Sequence, residues 1–557
     1  MHRLRAAAAL LTSLAAAAPG LTPQAASADA AAGPALTVNP FAGLHFINRD
    51  IYGMNFADPA LEKELKLPVD RWGGNATTRY NYLLDTGNHA SDWYFENIPN
   101  QVADPTALPD GSSADQFVEK DRAAGAATVM TVPLIGWVPK SRQQTCGFSV
   151  AKYGPQQSTD PWDPDCGNGV KPDGTYITGN DPTDTSTPAG ADFVSGWVKY
   201  LDAKYGDAAH GGVRFYDLDN EPDIWFQTHR DVHPQGPGYD EMKSSTYAVA
   251  SAIKAADPGA KTLGPVGWGW NSLIYSGLDE QTCGIQGGNC WSNPPDRAAH
   301  GGLDFATWYL QQMAAYQKAH GVRILDYFDN HWYPQASGVS SGADDAATQA
   351  LRLRSTRSLW DPTYTDESWI NQPVQAIPRM QQLVAKNYPG TKTAISEYNW
   401  GALDKIDGGV AEADILGIFG RQRLDLATLW SPPASTDPGA FAFRMYLNYD
   451  GKGDGFGNLG ISATSADQGQ LSVYASRRTS DGALTLMVIN KTTGDLSSPL
   501  SITGLRPNAT AHAYQYGQAN TAAITTLPDQ AIKRGQTSMT FPAYSITELV
   551  IPRSSCN

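Results

Sequence analysis

Eight short segments that read as buried strands recur along the first 430 residues of this chain, and helical stretches separate most of them. The strand candidates, marked by β-branched and aromatic residues, lie at 52–56, 69–73, 128–135, 214–218, 262–266, 327–332, 393–398 and 427–430. Helical periodicity is carried by 191–205, 239–256, 304–320, 373–386 and 410–423. Strands that alternate with helices lie parallel, and eight of them close into a (β/α)8 barrel. Loops longer than usual account for the extra length.

The character changes after Trp430. From 440 to 551 helical periodicity gives way to short alternating runs at 442–449, 471–475, 484–489, 511–515, 538–541 and 545–551. Gly, Asn and Asp punctuate them, which predicts an antiparallel β-sandwich. The expected fold class is therefore α/β plus all-β, a TIM-like barrel with a C-terminal β-sandwich. Residues 29–50 are expected to lend the sandwich a strand, 51–437 to form the barrel and 438–557 the sandwich. Neither an internal repeat nor a long Ser/Pro/Thr linker is visible, so the two domains should pack together.

The chain opens with His2, Arg3 and Arg5, an apolar run from Ala6, and the small-residue site Ala26-Ser27-Ala28. That order is the signature of a signal peptide, so residues 1–28 are expected to be removed and the mature protein secreted. Later segments offer no apolar stretch long enough to span a bilayer. A formal net charge of −15 argues against a nucleic-acid partner, whose phosphates need a basic face. Of the five cysteines, Cys146 with Cys166 and Cys283 with Cys290 bracket loops that local disulfides would close, leaving Cys556 over.

Chemistry concentrates at strand ends, where parallel barrels carry their active sites. The fourth candidate strand runs into Asn220-Glu221-Pro222, and Pro222 biases Glu221 out of the helical region so that the chain turns at the carboxylate. The seventh ends in Ser396-Glu397-Tyr398. Either glutamate alone is explained by a turn cap or a structural ion pair. Together they face each other across the barrel mouth, as the two carboxyl groups of glycosidic cleavage must. Supporting candidates surround them. Asn220 is placed to bond a substrate hydroxyl, Tyr398 to hold a carboxylate, and His331 and Tyr333 to reach the mouth from the sixth strand. Arg71, ending the second, is placed to fix Glu397 as an anion.

Trp72, Trp137, Trp225, Trp268, Trp270, Trp332 and Trp400 all fall at or just past strand ends. Indoles stack on the apolar faces of sugar rings, so these are candidate walls of a multi-subsite cleft; filling the barrel top is the structural alternative. Asp450-Gly451-Lys452-Gly453-Asp454-Gly455, or Asp173, Asp181 and Asp184, offer a structural calcium ion, although Asp/Gly turns explain the former equally well.

The run from Tyr216 through Asn220-Glu221-Pro222-Asp223-Ile224-Trp225, with Thr228-His229 and His233-Pro234 beyond, resembles the acid/base region of glycoside hydrolase family 44. Arg71-Trp72-Gly73-Gly74-Asn75 and Ser396-Glu397-Tyr398-Asn399-Trp400-Gly401 resemble two further segments of that family. The resemblance implies a retaining endo-β-1,4-glucanase, active on soluble or amorphous cellulose or xyloglucan, with Glu221 as general acid/base and Glu397 as nucleophile. It implies no cofactor for the chemistry and a β-glucan partner; the protein is expected to be a monomer. The mechanism asks for a raised pKa at Glu221, to which the charge of Glu397 is expected to contribute. Mannan or xylan as substrate, or a non-catalytic polysaccharide-binding protein, are the alternatives.

Overall fold

The computed structural model describes residues 30–505 and 508–553; the leader at 1–28 and Cys556 lie outside the described residues. Eight parallel strands close a barrel: β1 (Gly53–Asn55), β2 (Val69–Trp72), β3 (Ala127–Val132), β4 (Phe215–Leu218), β5 (Lys261–Gly267), β6 (Tyr327–Asn330), β7 (Lys392–Tyr398) and β8 (Leu426–Leu429). The ring closes where Thr428 of β8 pairs with Gly53 of β1.

A helix follows each strand: α1 (Pro59–Leu65), α2 (Ser113–Ala124), α3 (Ala191–Tyr205), α4 (Tyr239–Ala256), α5 (Phe305–His320), α6 (Ala376–Asn387), α7 (Ile406–Gln422) and α8 (Pro438–Leu447). Their packing follows the 3.6-residue period: α3 buries Val194, Trp197, Val198 and Leu201, one stripe turned to the barrel. Gly206 then stops it at a positive φ of 90°.

α8 corrects the expectation of a strand at 442–449. This segment is buried almost all round, with Arg444 the exception, so its near-continuous apolar run carries no usable period. Pro438, in the first turn, supplies the helical start instead.

The barrel interior is layered with the two-residue period of its strands. Val69, Val129, Phe215, Leu263, Tyr327, Ala394 and Leu426 form an apolar floor. Two residues further along, on all of these strands but β5, where Pro265 stands, come Arg71, Thr131, Asp217, Asp329, Ser396 and Thr428, all buried and polar. The catalytic candidates stand above this polar layer.

Twelve further strands form one all-β region that folds around its own core, including Val473, Leu486, Val488 and Leu549, and five more make a three-stranded and a two-stranded sheet in the barrel loops. Leu36–Asn39 enters it, antiparallel to Ser462–Ser465 and parallel to Leu496–Ile502. α7 is the seam. Gly417 lies so close to Tyr474 that an added Cβ would fall 2.3 Å from that ring. Beside it, Asp414 accepts from Ser472 at 2.6 Å, Tyr474 at 2.7 Å, and Thr356 and Lys491 at 2.9 Å. Disulfides join Cys146 to Cys166 and Cys283 to Cys290.

Candidate active site

Arg71 organises the site from the polar layer. Its side chain is fully buried, with Nε bonded to Asp217, Nη1 2.7 Å from Glu397 Oε1 and 3.1 Å from Asn55 Oδ1, and Nη2 3.0 Å from Asn220 Oδ1. Burial alone would lower the guanidinium pKa; Asp217 and Glu397 outweigh it and raise it. Asn55 is itself fixed by donating to the carbonyls of Ser396 and Thr428.

Glu397 owes its inward aim to a local irregularity. The β7–β8 register shifts between Ile395 and Tyr398, and such a shift re-aims the side chains around it. Glu397 turns to Arg71, and its Oε2 accepts from the Tyr333 hydroxyl at 2.9 Å. Tyr398 turns outward, packs edge-on against Phe419 and donates at 2.8 Å to Glu412 on α7. The expectation that Tyr398 serves the catalytic carboxylates is therefore corrected: it holds a carboxylate, but one in the helical layer.

Glu221 sits in a strained turn. Asp219 and Glu221 have φ of 77° and 45°, a left-handed geometry uncommon outside glycine. The turn is held by Asp219, whose carboxylate accepts from the backbone of Leu134 at 2.6 Å, Ile135 at 3.0 Å and Asn220 at 2.8 Å. Glu221 N bonds Val266 O at 3.0 Å, tying the turn to β5.

Burial pushes the Glu221 carboxyl up to about 8; Arg71 opposes the shift and Asp92 adds to it. The neighbouring Glu397 carboxylate is itself paired with Arg71 and Tyr333. Carboxylate oxygens of Glu221 and Glu397 and a ring nitrogen of His331 lie within 4.8 Å of one another. His331 Nδ1 is 2.8 Å from Glu221 Oε1, and Nε2 is 3.1 Å from Ser396 Oγ. Burial holds the imidazole down to about 4, hence neutral near pH 7.

Asn220 spends its amide on the protein: Oδ1 accepts from Arg71, and Nδ2 donates to Asn75 Oδ1 at 3.2 Å. The tryptophans divide. Trp225, Trp270, Trp332 and Trp400 are at most 6% exposed and do not line the cleft as expected. Strand-end indoles fill the layer under the loops here: Trp225 Nε1 donates to Asn220 O at 3.2 Å, Trp400 Nε1 to Ser355 Oγ at 3.0 Å. Trp72 is half-buried among Phe56, Tyr80 and Phe117, and Trp137 is also half-buried. Trp268 is exposed.

Sequence reasoning passed over Trp93, Trp162, Trp369 and Trp430. Trp430 follows β8 directly and is half-buried, and an indole just past a strand end was a usable signal. Trp369, more than half exposed, reaches the mouth through a loop: its Nε1 bonds Gln335, whose amide donates to Tyr333 O. The calcium candidates turn their carboxylates on neighbouring chain. Asp450 accepts from Lys452 N and Asp454 N, Asp173 and Asp181 accept from Thr175 and Thr183, and Asp184 pairs with Lys152. Among the described residues, the acidic groups that converge are Glu221 and Glu397 with His331, and Glu62–Asp70–Asp121, and Lys120 already bridges the latter.

Two carboxyl groups at the mouth of a (β/α)8 barrel, one paired with arginine and one buried with a raised pKa, are the machinery of a glycoside hydrolase. Comparison with known proteins agrees. The sequence profile of glycoside hydrolase family 44 matches residues 86–336. Endoglucanase A of Paenibacillus lautus is 29% identical over 553 residues, 96% of this chain and 75% of that protein. The crystal structure of CelM2, a bifunctional glucanase-xylanase from a metagenome library, shares 44% identity with a TM-score of 0.90, covering 93% of this chain and 99% of that one. A Paenibacillus polymyxa family 44 xyloglucanase solved with xyloglucan gives 27% identity and a TM-score of 0.77, over 93% and 99% of the two chains. The chain belongs to glycoside hydrolase family 44. Its chemistry needs no cofactor.

Proposed function

We propose that this protein is a secreted, monomeric, retaining endo-β-1,4-glucanase acting on soluble or amorphous cellulose and on xyloglucan. The observation that carries the reading is the pairing of Glu221 and Glu397. Their carboxylate oxygens lie within 4.8 Å, in keeping with the close spacing of a retaining pair; burial raises the Glu221 pKa, and Arg71 pairs with Glu397.

Glu397, held as an anion by Arg71 and Tyr333, attacks the anomeric carbon. Glu221 gives its proton to the departing glycosidic oxygen, leaving a glycosyl ester on Glu397. Glu221, now a carboxylate, removes a proton from water; the hydroxide oxygen attacks the same carbon and frees Glu397. Neutral His331 serves the second half. With Nδ1 protonated it donates to the Glu221 carboxylate once the proton has left, while Nε2 accepts from the Ser396 hydroxyl.

Exposed Trp268 and Trp369 supply stacking faces along the mouth, which fits internal cleavage of a polymer. The similarity to CelM2, named a glucanase-xylanase, favours xylan as a second substrate. The test is incubation with carboxymethyl-cellulose, xyloglucan, mixed-linkage glucan, xylan and mannan, following early products by chromatography and anomers by proton NMR. Internal fragments with β-anomers are expected from the first two polymers. Early release of monosaccharide alone, or initial α-anomers, overturns endo-action or retention respectively.

A further inference from the structure

Beside the Glu221 wall a second groove, of about 480 Å3, opens between residues 91–95 and the loop around 158–176. It is joined to the catalytic turn by two hydrogen bonds in series: Asn220 Nδ2 to Asn75 Oδ1 at 3.2 Å, then Asn75 Nδ2 to Asp92 Oδ2 at 2.9 Å. The short helix Trp225–Thr228, just after Glu221, contributes Gln227 to the groove wall.

At its edge Trp93 stacks on Trp162, with ring centroids 5.4 Å apart and planes 28° from parallel. Trp162 is 78% exposed, the most exposed large hydrophobic residue among those described. It is not on a loose loop. The Cys146–Cys166 disulfide closes the segment, Asp160 N bonds Cys166 O at 2.9 Å, and Asp160 Oδ1 accepts from Trp162 N at 3.0 Å. Deeper in, Arg230 faces the rings of Phe95, Phe148 and Tyr176 at 5.0, 4.4 and 4.5 Å and points a donor at Asn168 O.

We infer that this groove is a distal subsite for the substrate chain, binding neutral sugar units remote from the scissile bond, with Trp162 and Trp93 as the stacking platform and Arg230 as a hydroxyl donor. The inference rests on the glucanase reading above. An indole pair held rigid and left in water is apolar surface that a sugar ring's C–H face would cover. Continuity with the catalytic turn makes the same polysaccharide chain the occupant, and Asp92 and the overall acidity disfavour an anionic one.

The experiment compares wild type with Trp162→Ala and Trp162→Phe on the polymer that wild type cleaves best and on an aryl β-cellobioside, too short to reach the groove. Trp162→Ala is expected to lower kcat/KM on the polymer about tenfold through KM, leave the cellobioside unchanged, and be largely repaired in Trp162→Phe. Because the side chain is exposed, its removal leaves the core intact. An unchanged polymer KM, or an equal fall on both substrates, overturns the subsite. Wild type inactive on every β-glucan and on the cellobioside overturns the glucanase reading itself, and that is seen before any variant is made.

Discussion

Arg71 and Glu397, at the ends of facing strands, meet at 2.7 Å through Nη1 and Oε1, while the same guanidinium binds Asp217 below and Asn220 beside it. One cation thus pairs with Glu397 and positions Asn220, the residue next to Glu221.

Replacing Arg71 should therefore damage chemistry more than substrate binding. Arg71→Lys keeps the charge but not the planar fork that reaches Asp217, Glu397, Asn55 and Asn220 together. A fall in kcat of about 10²–10³ is expected, comparable to removing a preorganised donor. Kinetics on an aryl cellobioside, with circular dichroism to show retained structure, checks it; a change confined to KM contradicts the role.

Glu221 sets the alkaline limb of the pH profile. As an acid it must be protonated for the first step, so kcat/KM should fall as pH rises through about 8. The cause is burial, so opening the site should move the limb down. Removing the Glu397 charge should move it down as well, because Arg71 is left without that counter-charge and acts more strongly on Glu221. Titration of Glu221 by NMR in a Glu397→Gln background tests this, and an unchanged value refutes it.

The barrel was legible because each strand's inner face repeats with a period of two and each helix carries a stripe with a period of 3.6. Those periods fixed Glu221 on β4 and Glu397 on β7. They failed where burial was two-sided: Pro438–Leu447, buried nearly all round except at Arg444, folded as a helix over most of the expected strand at 442–449. They also failed at the tryptophans. A strand-end position does not say whether an indole faces the mouth or the layer beneath the loops. Trp225 and Trp400 went under, and the exposed platforms Trp162 and Trp369 came from loops with no period to read. Tyr398 was misplaced by the register shift that aims Glu397, which leaves no trace in one sequence.

The seam between the barrel and the β-region should be sensitive to one lysine. Lys491 and Asp414 are 2% and 1% exposed and 2.9 Å apart. Burial alone would raise the Asp414 pKa, yet Lys491, Ser472 and Tyr474 outweigh it and hold it lowered. A carboxylate with a depressed folded pKa stabilises above its unfolded value of about 3.9, and that contribution fades as pH falls through the folded value. Lys491→Met leaves the anion buried without its cation, a loss of about 3–5 kcal/mol. Denaturant unfolding at pH 7 measures it, and the double variant Lys491→Met with Asp414→Leu should recover much of the loss. A single variant as stable as wild type would show that the hydroxyl partners suffice.

Azide rescue separates the two glutamates by stereochemistry. In Glu397→Gly the removed nucleophile leaves room at the anomeric carbon, and azide attacking an activated β-cellobioside from that side displaces the leaving group once. The product is an α-glycosyl azide. In Glu221→Ala the ester on Glu397 still forms from a substrate with a good leaving group, but water lacks its base. Azide, which needs none, attacks from the opposite face and gives a β-glycosyl azide. Without added azide both variants should lose at least about 10²-fold in kcat, the low end for losing general acid–base help. The two products differ in the coupling of the anomeric proton, so NMR reads the outcome directly. Exchanged products would exchange the roles of the two residues. A β-azide from both would mean that Glu397 is not the group that attacks carbon, and the function of the Arg71 pair would have to be sought in orientation alone.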